Sequence, residues 1–222
     1  MATLFIGNKN YSSWSMRPWL ALKWSGVAFE EQVRRLGDDA GYGFQRSAHI
    51  LEISPSGRVP VLHVDGVVIY DSLAICEWAA EQNKTLWPAD GVTRALARAA
   101  TAEMHSSFPA LRRDLSMNIK RRVDHEPQWP EDTRRDLERL FGLWRGARER
   151  HGDGGPFLFG TRSIADAFYA PVCTRLRTYA VPMPDVVKAY CETIFADDAF
   201  RAWEAAALKE SWDLPATDGL HR

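Results

Sequence analysis

The hydrophobic rhythm of the chain changes once. Up to residue 82, short β-branched runs alternate with helical spacing; beyond residue 92 only helical spacing remains. Residues 3–6 form a short strand-type run. Residues 12–25 place Trp14, Leu20, Leu22 and Trp24 at helical intervals and end at Gly26, with Pro18 near enough to the start to be tolerated. Residues 29–36 mix apolar and charged positions as a half-exposed strand does, and 37–43 read as a loop rich in glycine and aspartate. Val61–Val64 and Val67–Tyr70 are β-branched runs separated only by Asp65-Gly66, the pattern of a tight hairpin with a primed turn. Ser72–Gln82 returns to helical spacing. The order β-α-β-(irregular α)-β-β-α predicts a mixed sheet of four strands with helices packed on it.

The stretch 83–92, with Lys84, Pro88 and Asp90, reads as a polar linker between domain 1–82 and domain 93–222. Helical spacing then covers 93–120, 131–151, 163–179, 185–196 and 198–209, an all-helical second domain of five helices. The tail from Leu214 shows no periodicity.

Composition narrows the function classes. The 222 residues carry 28 Lys+Arg against 29 Asp+Glu, so there is no excess of positive charge to seek nucleic acid. The clusters Arg112-Arg113, Lys120-Arg121-Arg122 and Arg134-Arg135 read as solvated helix faces. The first residues lack the basic start and apolar stretch of a signal peptide, and no run approaches the ~18 apolar residues of a membrane span. Three widely spaced cysteines, Cys76, Cys173 and Cys191, read as buried free thiols rather than a disulfide framework. Together these features predict a cytoplasmic protein. The six histidines show no metal-ligand pairing, so no metal is expected. His63 falls in a strand and reads as packing. His105 falls in a long helix just past the linker, where it could face the first domain.

No GxSxG elbow, HExxH, P-loop or GxGxxG motif is present. Two features exceed structural need. Tyr11-Ser12-Ser13-Trp14-Ser15 crowds hydroxyls between a strand end and a helix start. One serine suffices for a cap, and a helix N-terminus also attracts an anion. Arg58-Val59-Pro60 precedes the hairpin, where a cis proline would turn the Val59 backbone outward to pair with an extended peptide. Asp71-Ser72 opens the next helix, and a carboxylate beside free N–H groups suits the zwitterionic end of an amino acid.

The run Ser54-Pro55-Ser56-Gly57-Arg58-Val59-Pro60-Val61-Leu62, followed by Asp71-Ser72-Leu73-Ala74-Ile75, resembles the glutathione S-transferase superfamily pattern Asn-Pro-x-Gly-Lys-Val-Pro-x-Leu and Glu/Gln-Ser-x-Ala-Ile. It departs at Ser54, Arg58 and Asp71. A second match, Thr161-Arg162-Ser163-Ile164-Ala165-Asp166, resembles the capping box that starts a buried helix in that family's second domain, with Ser163 and Asp166 as its partners. Ser12-Ser13-Trp14-Ser15-Met16-Arg17 resembles the Ser-Ser-Cys-x-Trp-Arg signature of the zeta class, with Trp14 in place of the cysteine.

The resemblance implies a thioredoxin-like α/β domain followed by an all-α bundle, and a homodimer. It implies glutathione as co-substrate, no metal, no membrane and no nucleic acid, and conjugation of a small hydrophobic electrophile as in detoxification. Ser12 would hold the sulfur with Ser13 beside it, although Tyr11 is a rival because other branches use a tyrosine from this loop. Val59, next to Pro60, would pair its backbone with the cysteinyl unit. Asp71 and Ser72 would hold the γ-glutamyl end, and Arg58 or Gln45 the glycyl carboxylate. His105, Ser106, Phe108 and Arg112 would line the second pocket, where Arg112 favours an anionic substrate. Alternatives are a non-catalytic glutathione-binding or interaction module of the same fold, and an isomerase of the maleylacetoacetate type, which Trp14 argues against.

Overall fold

The computed structural model describes residues 1–36 and 48–220. Four strands, β1 (Ala2–Ile6), β2 (Phe29–Val33), β3 (Val61–Val64) and β4 (Val67–Tyr70), form one sheet in the order β2-β1-β3-β4. β1 runs parallel to β2 and antiparallel to β3, and β3 pairs antiparallel with β4. The hairpin turns as its dipeptide demands, with φ of 50° at Asp65 and 79° at Gly66. The strand expected over 29–36 stops at Val33. The glycine-rich loop expected over 37–43 lies outside the described residues.

Helix α1 (Ser13–Ser25) connects β1 to β2, α2 (Ala48–Leu51) precedes the β3 hairpin, and α3 (Ser72–Gln82) follows β4. Helices α1 and α3 pack on each other and bury Leu20, Leu22, Ile75, Cys76 and Ala79. A 3-10 turn at Lys84–Leu86 leads into the helical part: α4 (Gly91–Ser106), α5 (Pro109–Asp114), α6 (Glu131–His151), α7 (Ile164–Thr178), α8 (Asp185–Ala196), α9 (Asp198–Lys209) and α10 (Pro215–Asp218). This is the expected class, an α/β domain followed by helices only.

Two helical expectations needed correction. The helix expected over 93–120 breaks after Ser106, because Pro109 disfavours helical backbone at the residue before it. Phe108 there sits at φ 62° and Pro109 opens α5. After α5 the chain stays irregular until Glu131. The tail, aperiodic in sequence, folds into α10.

Helix α7 is the axis of the second domain, with every residue except Arg177 buried. It packs against both α1 and α4, and so couples the two domains at the start of α1. Its own start is the expected capping box. The Asp166 carboxylate accepts the Ser163 N–H at 2.8 Å, the Leu158 N–H at 3.2 Å and the Tyr190 hydroxyl at 3.0 Å. Burial pushes its carboxyl up to about 6, against the pull of these donors.

Candidate functional site

The loop from Gly7 to Ser12 carries the chain from the end of β1 to the start of α1. Ser12 is the N-cap, 5% exposed, and its Oγ accepts the Ser15 N–H at 3.3 Å. The Ser12 hydroxyl also donates to Ser15 Oγ at 2.8 Å, and Ser15 Oγ accepts the Gly7 N–H at 3.0 Å. Ser15 therefore orients Ser12, a role that sequence reasoning did not single out among the three serines. Ser13 faces the other way. Its Oγ accepts a hydrogen bond from Arg175 Nη2, on α7, at 3.0 Å.

Tyr11 has its hydroxyl committed. It donates to the Asp218 carboxylate, 3.0 Å from each oxygen, and accepts the Leu214 N–H at 3.3 Å. Burial first, then Asp218, pushes the Tyr11 hydroxyl up to about 12. Of the three rivals, only Ser12 joins a helix N-terminus to a hydroxyl engaged with other hydroxyls and its own helix alone.

Three guanidinium groups gather behind this turn. Arg17 is fully buried between the rings of Trp14 (4.2 Å) and Phe168 (4.7 Å), and its Nε and Nη1 have no hydrogen-bond partner among the described residues. Arg112 stacks on Trp14 at 4.9 Å and donates from Nε to the Ser107 carbonyl at 3.0 Å. Arg175 donates to the Leu115 carbonyl as well as to Ser13. Burial and mutual repulsion hold the Arg17 guanidinium well below its usual range, and they hold Arg112 near 10. Burying the Arg17 charge with two nitrogens unpartnered among the described residues is costly, and an anion brought to it recovers that cost. Arg112 was an expected pocket residue. Arg17 and Arg175 were not; the available signal was Arg17 closing the serine-rich signature.

His105 does face the first domain. Its Nε2 lies 3.4 Å from Asp71 Oδ2, its ring meets the edge of Trp14 at 5.5 Å, and burial lowers its basicity. Ser106 is exposed and returns its hydroxyl to the Ala102 carbonyl at 2.9 Å. Phe108, expected in the second pocket, is 2% exposed and belongs to the core, where it caps α5. His63 packs as expected, on Phe5 at 4.8 Å with Nε2 2.6 Å from the Ile53 carbonyl.

Val59–Pro60 is a cis peptide, immediately before β3. Asp71 caps α3 from a φ of 78°, a conformation rare for aspartate and found where a site overrides local preference. Its Oδ1 accepts the Leu73 N–H at 2.7 Å. Beside it, the buried Ser72 hydroxyl has no partner among the described residues, so this helix start fits a ligand carboxylate. Arg58 is exposed, and Gln45 lies outside the described residues. A separate cleft of ≈ 720 Å³, lined by Trp24, Trp87, Arg94 and Arg162, opens at the far end of α1 and contains none of these residues.

No group of three or more His, Cys, Asp or Glu among the described residues could hold a metal ion, and no described helix is long and apolar enough to cross a membrane. The profile of the glutathione S-transferase N-terminal domain matches residues 11–82. Maleylacetoacetate isomerase of Rattus norvegicus is 32% identical over 120 residues, 53% of this chain and 52% of that protein. The chain thus spans about half the length of that relative. Maleylacetoacetate isomerase of Pseudomonas aeruginosa is 29% identical over 177 residues, covering 76% of this chain and 78% of the relative. The crystal structure of a glutathione transferase homologue from Burkholderia gl BGR1, with bound glutathione, superimposes with a TM-score of 0.70 at 26% identity, over 94% of this chain and 99% of that one. Residues 11–82 thus match a glutathione S-transferase N-terminal domain, and the helices that follow complete a fold shared with solved glutathione transferases.

Proposed function

We propose that this protein is a glutathione transferase in which Ser12 holds the thiolate of glutathione for attack on a small hydrophobic electrophile that carries an anionic group. The observation that carries the reading is the Ser12 hydroxyl at the N-cap of α1 with the Arg17 guanidinium, two of its three nitrogens unpartnered among the described residues, one turn behind it.

A free thiol with a pKa of about 8.5 is only a few per cent ionised at neutral pH, and the thiolate is the nucleophile. Lowering that pKa by about two units takes ~2.7 kcal/mol. A hydrogen bond from Ser12 to a charged sulfur supplies ~1.5–3 kcal/mol, and the helix N-terminus ~0.3–2 kcal/mol. Together they suffice without a general base. Ser12 turns its proton to the sulfur while Ser15 donates to Ser12 Oγ, reversing the 2.8 Å contact between them. Asp71 and Ser72 hold the γ-glutamyl end, the Val59 backbone beside Pro60 the cysteinyl unit, and Arg58 or Gln45 the glycyl carboxylate. Trp14 offers an apolar wall, and Arg17, Arg112 and Arg175 attract the substrate's negative charge.

A second reading is isomerisation of the maleylacetoacetate type. The names of two relatives and the three guanidinium groups favour it, since such a substrate carries two carboxylates. Glutathione consumption separates the readings: a transferase uses one glutathione per product and an isomerase none. The primary test compares chlorodinitrobenzene with its carboxylated analogue. A lower KM for the carboxylated compound supports the anionic pocket. Equal values for both would contradict it, and no thermal shift with glutathione, its disulfide or an S-alkyl derivative would point to an interaction module.

The domain division at residues 83–92, the cytoplasmic location and a role in detoxification belong to the same proposal, as does a homodimer. Val67 and Tyr70 on the edge strand β4 and Val92 and Leu96 on α4 expose 57%, 48%, 68% and 44% of their surface, which suits a buried apolar contact between two subunits. Light scattering should give twice the 25.1 kDa chain mass.

A further inference from the structure

We propose that Glu210 and Asp218, in the chain's last residues, are positioning residues that fix the Ser12 hydroxyl by clasping the loop that carries it. The proposal deepens the reading of Ser12 as the thiolate holder and rests on it.

The loop between β1 and α1 has few internal means of holding its shape. Asn8 supplies one, its carbonyl accepting the N–H groups of Tyr11 at 3.1 Å and Ser12 at 2.8 Å. The N–H groups of Lys9 and Asn10 point outward, and one carboxylate takes both. Glu210 Oε1 accepts from Lys9 at 2.6 Å, and Oε2 accepts from Asn10 at 2.9 Å. That carboxylate comes from just past the end of α9, some two hundred residues along the chain, and Lys120 holds the Glu210 carbonyl in place. The Trp203 indole, on α9, secures the same loop by donating to the Lys9 carbonyl at 3.1 Å.

Asp218 grips the next residue. Its carboxylate accepts the Tyr11 hydroxyl, Asn118 Nδ2 at 2.7 Å and the Leu214 N–H at 3.0 Å. Asn118 is in turn bonded to the Asn10 side chain at 3.0 Å. Lys9, Asn10 and Tyr11, the three residues preceding Ser12, are thus each tied to a carboxylate of the last thirteen residues. A hydroxyl displaced by about 1 Å loses most of a hydrogen bond to sulfur, so the tie acts on the thiolate and not only on the fold.

The conservative amides make the test. Glutamine at 210 keeps one acceptor and turns an NH₂ group toward the second N–H, and asparagine at 218 does the same toward its three donors. In full-length Glu210→Gln and Asp218→Asn, the pKa of enzyme-bound glutathione, followed by thiolate absorbance against pH, should rise by about one unit, leaving about fivefold less thiolate at pH 6.5. Affinity for S-methyl glutathione, which has no thiol, should change far less. Glu210→Asp, which keeps both acceptors on a shorter arm, should recover part of the shift and provides the measurement if Glu210→Gln does not fold. Variants with a lower unfolding midpoint but the wild-type thiol pKa would overturn the proposal and leave these residues a purely structural role. A wild-type enzyme whose bound thiol titrates like free glutathione would instead overturn the Ser12 reading, and this proposal with it.

Discussion

Arg175 Nη2 lies 3.0 Å from Ser13 Oγ and donates to it, so the central helix of the second domain reaches the first turn of α1. The contact commits Ser13 to joining the two domains, and the proposed function leaves Ser12 to the ligand. Ser13→Ala should therefore keep the thiol pKa of bound glutathione at the wild-type value. Arg175→Leu removes a charge-assisted contact of ~1.5–3 kcal/mol and should lower kcat/KM for a carboxylated electrophile about tenfold or more, with a smaller loss for the neutral one. Equal losses on both compounds would assign Arg175 to structure alone.

Arg17 is a charge kept buried with two of its nitrogens unpartnered among the described residues. Replacing such a group by an apolar side chain of similar length is often neutral or stabilising by ~1–4 kcal/mol. Arg17→Met should accordingly unfold at or above the wild-type urea midpoint while losing preference for the carboxylated electrophile. A variant that is destabilised and keeps its preference would refute a ligand-directed Arg17.

Asp166 has its carboxyl pushed up to about 6, above its value of near 4 in the unfolded chain. Between those values the native state binds more protons than the unfolded state, so this group's contribution to stability falls as pH rises from about 4 through about 6. Asp166→Asn has no such titration, and the advantage of wild type over it should narrow across that window. At neutral pH, Asp166→Ala should cost about 2–4 kcal/mol, because the Ser163 and Leu158 N–H groups and the Tyr190 hydroxyl lose their acceptor. Chemical denaturation at a series of pH values measures both.

Local chemistry explains which parts were legible in the sequence. Asp65-Gly66 between two β-branched runs has one cheap conformation, so the hairpin could be read directly; the same holds for Ser163 and Asp166 at the start of α7. The break after Ser106 was missed because the apolar spacing runs on past it, and Pro109 acts through Phe108 rather than through that spacing. The grouping of Arg17, Arg112 and Arg175 could not be read, since three separate helices supply it. The clasp of Glu210 on Lys9 and Asn10 was equally hidden, because nothing periodic marks a tail that folds by gripping a distant loop.

The most direct test of the account is the pKa of the bound thiol in Ser12→Ala, measured beside Ser15→Ala and Tyr11→Phe. Loss of ~1.5 kcal/mol of thiolate stabilisation should raise that pKa by about one unit in Ser12→Ala and lower turnover about fivefold at pH 6.5, with the deficit shrinking toward pH 9. Ser15→Ala should give a smaller rise, through loss of the hydroxyl 2.8 Å behind Ser12. An unchanged thiol pKa in Ser12→Ala, with the shift appearing only in Tyr11→Phe, would contradict the account and move the thiolate to Tyr11.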